Sequence, residues 1–450
     1  MSTGPHSSDS RSTTGSGSPL ASIAHTWRAL RHRNFKLFFF GQSTSLIGTW
    51  MTRLATAWLV YQLTHSALLL GVVSFSGQIV SFLLGPFAAV WVERLERRRL
   101  LVCTQAAAAV QSLSLAVLTL THVITLDEII ALMVFQGLIN AFDMPGRQSF
   151  LVQMVEDRSD LANAIAINSS MANGARLIGP AIGGLIIAGF GEGWCFLIDG
   201  VSYFAVIASL LLMRLERPLS GRAQAKTGIL EELREGWDYV RGFKPIRIVL
   251  LLLALTCLMG WPYSVLLPVF AGKVLHGDAH TLGWLTAASG AGAFCSALAL
   301  AMRKSIRGLT RALQAAVALL GVGLILFGLS HVLWLSLVVM LMVGFGLIQA
   351  AAVTNTIVQS LVPDDKRARV MGYYTMAFFG AAPFGSLTAG ALAQHIGAPH
   401  TVMLTGAFCI AGAVWFSFQL PKIRPEMRAT YREKERIAAN AAAEEAGEAA

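Results

Sequence analysis

Long apolar stretches alternate with short charged connections along this chain. No Asp, Glu, Lys or Arg occurs from Ala312 to Pro363, nor from Val370 to Pro421. A helix needs about 20 apolar residues to cross the hydrocarbon core, so each stretch holds two crossings and a tight turn. The turns fall at Ser330-His331 and at Gly397-Ala398-Pro399. The same pattern over the whole chain predicts twelve spans, at 37–61, 68–91, 100–121, 128–147, 164–189, 194–213, 247–270, 282–302, 312–330, 333–355, 370–394 and 400–420. Lipid offers no partner to backbone amides and carbonyls, so the spans are expected to be helices. The pattern lacks the alternation over about ten residues that marks a membrane β-barrel. The expected fold class is an all-α membrane protein of twelve transmembrane helices.

Charge then gives an orientation. Of the 35 Lys and Arg residues, 32 fall before span 1, after the even-numbered spans or in the tail, and the opposite connections hold only Lys273. Arg53 and Arg176 lie inside spans. By the positive-inside rule both termini are expected in the cytoplasm, at a bacterial inner membrane. The net charge of +10 is then a topology signal, and no nucleic-acid partner is expected. Composition agrees: 55% hydrophobic and 13% charged residues are too apolar for a soluble chain of 450 residues.

The expected organisation is a disordered, basic N-terminal segment (1–34), a six-helix half (35–213), a central cytoplasmic loop (214–246), a second six-helix half (247–420) and a cytoplasmic tail (421–450). Residues 1–20 are rich in Ser, Thr and Gly and show no apolar core of a signal peptide. In the loop, Ile229, Leu230, Leu233, Trp237 and Val240 share one helical face opposite Glu231, Glu232, Arg234, Glu235, Asp238 and Arg241, which predicts an amphipathic helix on the inner membrane surface. Short matches recur between the halves: Ser76-Gly77 with Ser289-Gly290, Arg98 with Arg311, Val155-Glu156-Asp157 with Val362-Pro363-Asp364, and Pro180 with Pro383. Two such halves imply a substrate held between them near the midplane.

Motifs of other chemistries are missing from the sequence. The five cysteines are dispersed without Cys-x-x-Cys or metal-ligand spacing, and Gly272-Lys273-Val274 is no phosphate loop. No nucleophile–base motif is present. No cofactor, metal or enzymatic activity is expected.

Two segments carry a family resemblance. One runs from Phe142-Asp143-Met144-Pro145-Gly146-Arg147-Gln148, through Asp160-Leu161-Ala162-Asn163-Ala164-Ile165 and Asn168-Ser169, to Asn173-Gly174-Ala175-Arg176-Leu177-Ile178-Gly179-Pro180-Ala181-Ile182-Gly183-Gly184. The other is Arg369-Val370-Met371-Gly372 with Ala382-Pro383-Phe384-Gly385. From about Phe35 to Leu420 the chain resembles major facilitator superfamily transporters, and more narrowly the transmembrane secretion effector group of enterobactin exporters and macrolide efflux proteins. The resemblance implies a monomeric secondary transporter, working by alternating access, that exports siderophore-, macrolide- or drug-like compounds by proton exchange.

It also assigns roles to residues. Glu93-Arg94-Leu95-Glu96-Arg97-Arg98-Arg99 resembles the superfamily's gating signature, with Glu93, Arg94, Arg97 and Arg98 clasping the cytoplasmic ends of the halves. Here Glu93 stands where Asp is usual and Ala89 where Gly is usual; plain positive-inside charge is the other reading. Gly179, Pro180, Gly183 and Gly184 resemble the span 5 signature of antiporters, although their spacing alone implies only close helix packing.

Polar stripes mark the interior. Gln136, Asn140, Asp143 and Arg147 share one face of span 4, and Ser169, Asn173 and Arg176 one face of span 5. Intramembrane charge faces a cavity or another helix. Asp143 is the first candidate proton carrier, partnered by Arg176 across a stretched distance; Asp199 with Arg53 is the second. Asp199 is alternatively a snorkelling acid near the interface. Spans 7 to 12 contain no acid. Trp261, Tyr263, Phe270, Gln349, Thr354 and Asn355 are the expected C-terminal wall of the cavity, with Gln136, Asn140 and Asn173 opposite. Such walls suit a bulky amphipathic compound, neutral or anionic rather than cationic. Import or lysolipid flipping by the same fold, and a non-transporting sensor or assembly role, are the competing readings.

Overall fold

The structure, a computed structural model, describes residues 28–155, 157, 160–214, 229–303 and 308–448. The expected disorder of residues 1–20 and the loop before Ile229 lie outside the described residues. So do the side chains of Ile229, Leu230, Glu231, Glu232 and Leu233. After a single 3-10 turn at Arg28–Arg31 come α1 (Arg33–Thr64), α2 (Ala67–Arg94), α3 (Arg97–Leu120), α4 (Leu126–Leu151), α5 (Leu161–Phe190) and α6 (Glu192–Leu212). Then follow α7 (Ile229–Gly242), α8 (Lys244–Gly260), α9 (Tyr263–Val269), α10 (Ala279–Ala301), α11 (Leu309–Leu329), α12 (Leu333–Leu361), α13 (Asp364–Ile396) and α14 (Ala398–Glu448). Among the described residues there is no strand.

Local chemistry sets the helix ends. Ser66 caps α2 by accepting from the Leu69 amide, Thr125 and Glu128 form a capping box on α4, and Asp278 caps α10. Gly191 (φ +91°) joins α5 to α6 and Gly397 (φ +84°) joins α13 to α14, at matching places along the sequence. Side chains with a Cβ resist that left-handed region. Trp261 and Pro262 break the expected seventh span into α8 and α9, followed by a π turn at Phe270–Val274.

Eleven helices among the described residues are long and apolar enough to cross a membrane, α8 and α9 counting together with the π turn. The remaining long helix, α1, spans 32 residues but carries Asn34, Gln42, Ser43, Thr44, Ser45, Thr49, Thr52, Arg53 and Thr56. It is nonetheless packed inside the bundle against α5 and α6.

Packing repeats along the chain. In the first part α1 packs on α5 and α6, α2 on α4, and α3 on α6 and α4; in the second, α8 packs on α13 and α14, α10 on α12, and α11 on α14 and α12. Register repeats too. The parallel pair α2/α4 sets Ser81 against the Gly137 carbonyl, and the parallel pair α10/α12 sets Ser296 against Gln349. Between the two sets, α5 packs on α10 and α2 on α13. Gly184 lies against Gly283, and Gly71 against Gly390, backbone to backbone. These contacts sit toward the face opposite the chain termini, so that face is closed. Small residues allow this approach where lipid supplies no hydrophobic drive.

The loop helix α7 docks on α13. Glu235 pairs with Arg369 at 2.5 Å, Lys366 stands over the Tyr239 ring at 5.1 Å, and Trp237 meets Tyr373 in a tilted ring contact at 5.9 Å.

Candidate functional site

Two acids are buried in the first helix set, and they differ in their partners. Asp143 on α4 is 3% exposed. It accepts from Thr104 Oγ1 at 3.0 Å and Gln105 Nε2 at 2.7 Å on α3, and forms an ion pair with Arg147 one turn along α4. It does not meet Arg176. The physical reason is packing: α4 lies on α2 and α3, whereas α5 lies on α1, α6 and α10. The expected Asp143–Arg176 pair is therefore replaced by a pair within one helix.

Asp199 on α6 is 1% exposed, which removes the snorkelling reading. Ser112 Oγ donates to its Oδ2 at 2.8 Å, while Oδ1 has no hydrogen-bond partner. Oδ1 points at Gly48 on α1, the only side-chain size that fits there. The Thr52 and Thr49 hydroxyls stand near the carboxylate, Thr52 without meeting hydrogen-bond geometry. Arg53 is not within ion-pair distance among the described residues. Asp199 is level with Gly48, and five residues at 1.5 Å each carry Arg53 about 7 Å further along α1.

Arg53 and Arg176 instead enter an aromatic ladder. The Arg53 guanidinium lies over the Trp50 ring, 4.9 Å from its centre. The Arg176 guanidinium lies over the same ring and over Trp261, at 5.6 Å in each case. Trp261 meets Phe378 edge to face at 5.6 Å, and Phe378 stacks on Tyr374. The ladder thus runs from α1 and α5 to α13 across both helix sets. Arg53 is solvent-accessible although protein surrounds it, as a side chain lining an internal cleft is.

The other expected wall residues divide. Gln136 and Asn140 are half-buried and bond each other at 3.1 Å, and Asn173 donates to the Ser169 carbonyl at 2.9 Å. Asn355 accepts from Gln359 at 2.6 Å. Tyr263 and Gln349 are buried in helix packing, bonded to Ser289 at 2.6 Å and Ser296 at 2.8 Å on α10. Phe270 stacks on Phe327 at 4.3 Å, and Thr354 is fully buried. In this structure these four do not line the cleft, because α9, α10, α11 and α12 close on one another around them.

At the gate run, the Glu93 side chain lies outside the described residues. Arg94 is exposed, Arg97 half-buried, and Arg98 donates to the Leu211 carbonyl of α6 at 2.6 Å. Arg99 pairs with Glu96 at 2.5 Å. These described contacts stay on the N-terminal side. Of the α5 signature, Gly179 and Gly183 pack on Trp50 and Met51 of α1, and Pro180 and Gly184 on Gly283 of α10.

Trp50, Phe378, Thr104, Gln105 and Ser112 escaped the sequence reading. For Trp50 a signal existed: it stands three residues before Arg53 and so on the same helical face.

Comparison with known proteins places this arrangement. The chain is 26% identical over 395 residues to the staphyloferrin A transporter of Staphylococcus aureus, covering 87% of this chain and 98% of that one. It is 28% identical over 398 residues to the multidrug efflux pump Tap of Mycolicibacterium fortuitum, covering 86% and 96%. Its fold matches a crystal structure of a nucleoside transporter NupG variant with a TM-score of 0.70 at 13% identity, over 85% of this chain and 98% of that one. Residues 24–448 match the family model described as transmembrane secretion effector. With a multi-pass helical bundle, transporter relatives and that match over nearly its whole length, the chain belongs to the transmembrane secretion effector family of major facilitator superfamily transporters.

Proposed function

We propose that the chain is a proton-coupled exporter of a bulky amphipathic small molecule, of the siderophore, macrolide or drug type. In this reading α1 is a twelfth crossing, the two packing sets are pseudo-symmetric halves, and the protein works as a monomer in a bacterial inner membrane. Both termini are cytoplasmic. The face opposite the termini is closed, so the cleft holding Arg53 and Arg176 opens inward, ready to load cargo for export. The relatives named for siderophore transport and multidrug efflux support the cargo classes.

The observation that carries the reading is Asp199. It is a carboxylate buried among helices with one oxygen unpartnered and no cation in ion-pair range among the described residues. Buried acids are otherwise paired, and such groups inside a membrane mark proton and ion pathways. Asp143, its oxygens taken by three donors, is the structural acid of the two, and Asp199 the proton site. Protons bound at Asp199 on the outer side would be exchanged for cargo leaving the cell.

Everted vesicles containing the protein test this. With a respiration-driven pH gradient monitored by acridine orange, a panel of macrolides and amphipathic carboxylates is added. A transported compound should release protons, and Asp199→Asn should abolish that release while keeping downhill counterflow. If no compound moves protons, or Asp199→Asn pumps uphill as the wild type does, the coupling assignment fails.

A further inference from the structure

Both cleft guanidiniums lack an anion. Among the described residues neither Arg53 nor Arg176 has a carboxylate in ion-pair distance or donates a hydrogen bond. The buried acids nearest them stand out of contact: Asp143 is held by Arg147, and Asp199 faces Ser112 and Gly48. The spans of the second helix set contribute no Asp or Glu. Two positive charges therefore stand at membrane depth with no carboxylate in contact, Asp199 acting on Arg53 only at longer range, a costly arrangement unless water or a ligand answers it.

Geometry says what kind of ligand. A guanidinium held over a ring by charge–quadrupole attraction, and donating no hydrogen bond to the protein among the described residues, keeps its N–H donors free. Those donors form a planar fork matching a carboxylate. Trp50 is half-buried between the two arginines, and Trp261 is half-buried beyond Arg176, so flat apolar faces border both forks. Three of these residues come from α1 and α5 and the fourth from the α8–α9 break, so a ligand there touches both helix sets at once.

Resting on the transport reading above, we infer that Arg53, Trp50, Arg176 and Trp261 form a subsite for the carboxylate of an aromatic or otherwise flat-bodied amphipath. The carboxylate sits between the two forks while the ring slides along Trp50 and Trp261. Binding replaces the Arg176–Trp261 contact, a direct link between the helix sets, with a link through the cargo. The substrate class is thus anionic and ring-bearing, and cations are repelled by the same two charges.

The test uses the full chain in lipid nanodiscs and three matched probes: 2-naphthoate, 2-naphthylmethanol and 2-naphthylmethylamine. Binding is read from tryptophan fluorescence. Naphthoate should bind about tenfold or more tighter than the amine, and Arg53→Gln and Arg176→Gln should each weaken naphthoate about tenfold, the scale of one charge-assisted bond. Both variants should leave the alcohol nearly unchanged, which also shows that they fold. Lys273→Gln, on an outer connection, should change nothing. Should Arg176→Gln fail to fold, Arg176→Lys keeps the charge, loses the fork and should still weaken naphthoate. Equal binding of the three probes, no binding of naphthoate to the wild type, or naphthoate indifferent to both arginine changes overturns the subsite. The vesicle assay separates the two claims. Acid-selective binding without proton release would sink the transport reading alone. Proton release with charge-blind binding would sink the subsite alone.

Discussion

Asp143 shows how one residue's partner is chosen. An i, i+4 neighbour on the same helix lies about 6 Å away whatever the tertiary packing. Arg147 is that neighbour, and Thr104 and Gln105 complete the shell from α3. The pair was legible in the sequence, since both residues stand on one stripe. Its rival Arg176 was not excluded there, because which helices touch is a tertiary fact. Asp143→Ala should destabilise the protein by about 2–4 kcal/mol, toward the low end because Arg147 is partly exposed. The melting temperature in detergent measures this, and adding Arg147→Ala should recover part of the loss. A double variant no more stable than the single would show that the pair is not what holds α3 to α4. Asp199 was legible as an intramembrane acid, but its unpartnered oxygen depends on the height of Gly48 across the helix pair.

At the scale of elements, apolar windows located the membrane helices, although α12 and α13 extend beyond the expected ends and α14 continues past Leu420 to Glu448, where charged residues keep a helix going that an apolar window does not register. Two things escaped. The break at Trp261-Pro262 lies inside an uninterrupted apolar run, where only the proline gave a hint. The amphipathic pattern of α7 located a helix but not what it covers. The flank of α13 that it meets is set by Arg369, Lys366 and Tyr373, which are distant in sequence. The exposed ion pair is worth about 0.2–1 kcal/mol, so Glu235→Gln alone should alter little. Trp237→Ala adds loss of an aromatic pair worth about 0.5–1.5 kcal/mol beyond its buried area. The combined variant should raise hydrogen exchange across residues 234–242 severalfold while α13 stays protected. Unchanged exchange would mean that other contacts hold α7.

Across the whole molecule, the inside-outside assignment rests on 32 basic residues against one. Reporter fusions at His65 and His331 should read periplasmic, and a fusion at Gly221 cytoplasmic. A reversed reading at any two of these would invert the cleft and make the closed face the inner one. The twofold repeat of packing was faint in the sequence, carried by a few short matches. Helix packing constrains size and shape at a contact far more than residue identity, so α1/α5 and α8/α13 pack alike with little sequence in common.

The glycine contacts that close the outer face have a consequence for what controls the protein's pace. Gly71 on Gly390 and Gly184 on Gly283 bring bare backbone against bare backbone, flanked on the α2/α13 seam by the Ser66–Gln394 hydrogen bond and the Phe75–Phe384 ring pair. At the glycines themselves such surfaces part with no rotamer to unlatch, and few side-chain contacts around them have to break. Acyl chains fill the space about as favourably as the opposing helix did, because lipid tails are as apolar as a protein interior. Part of the stiffness felt on opening then belongs to the bilayer. Its chain length and lateral pressure become working parts of the machine, and a cell that remodels its fatty acids retunes the transporter without altering a codon.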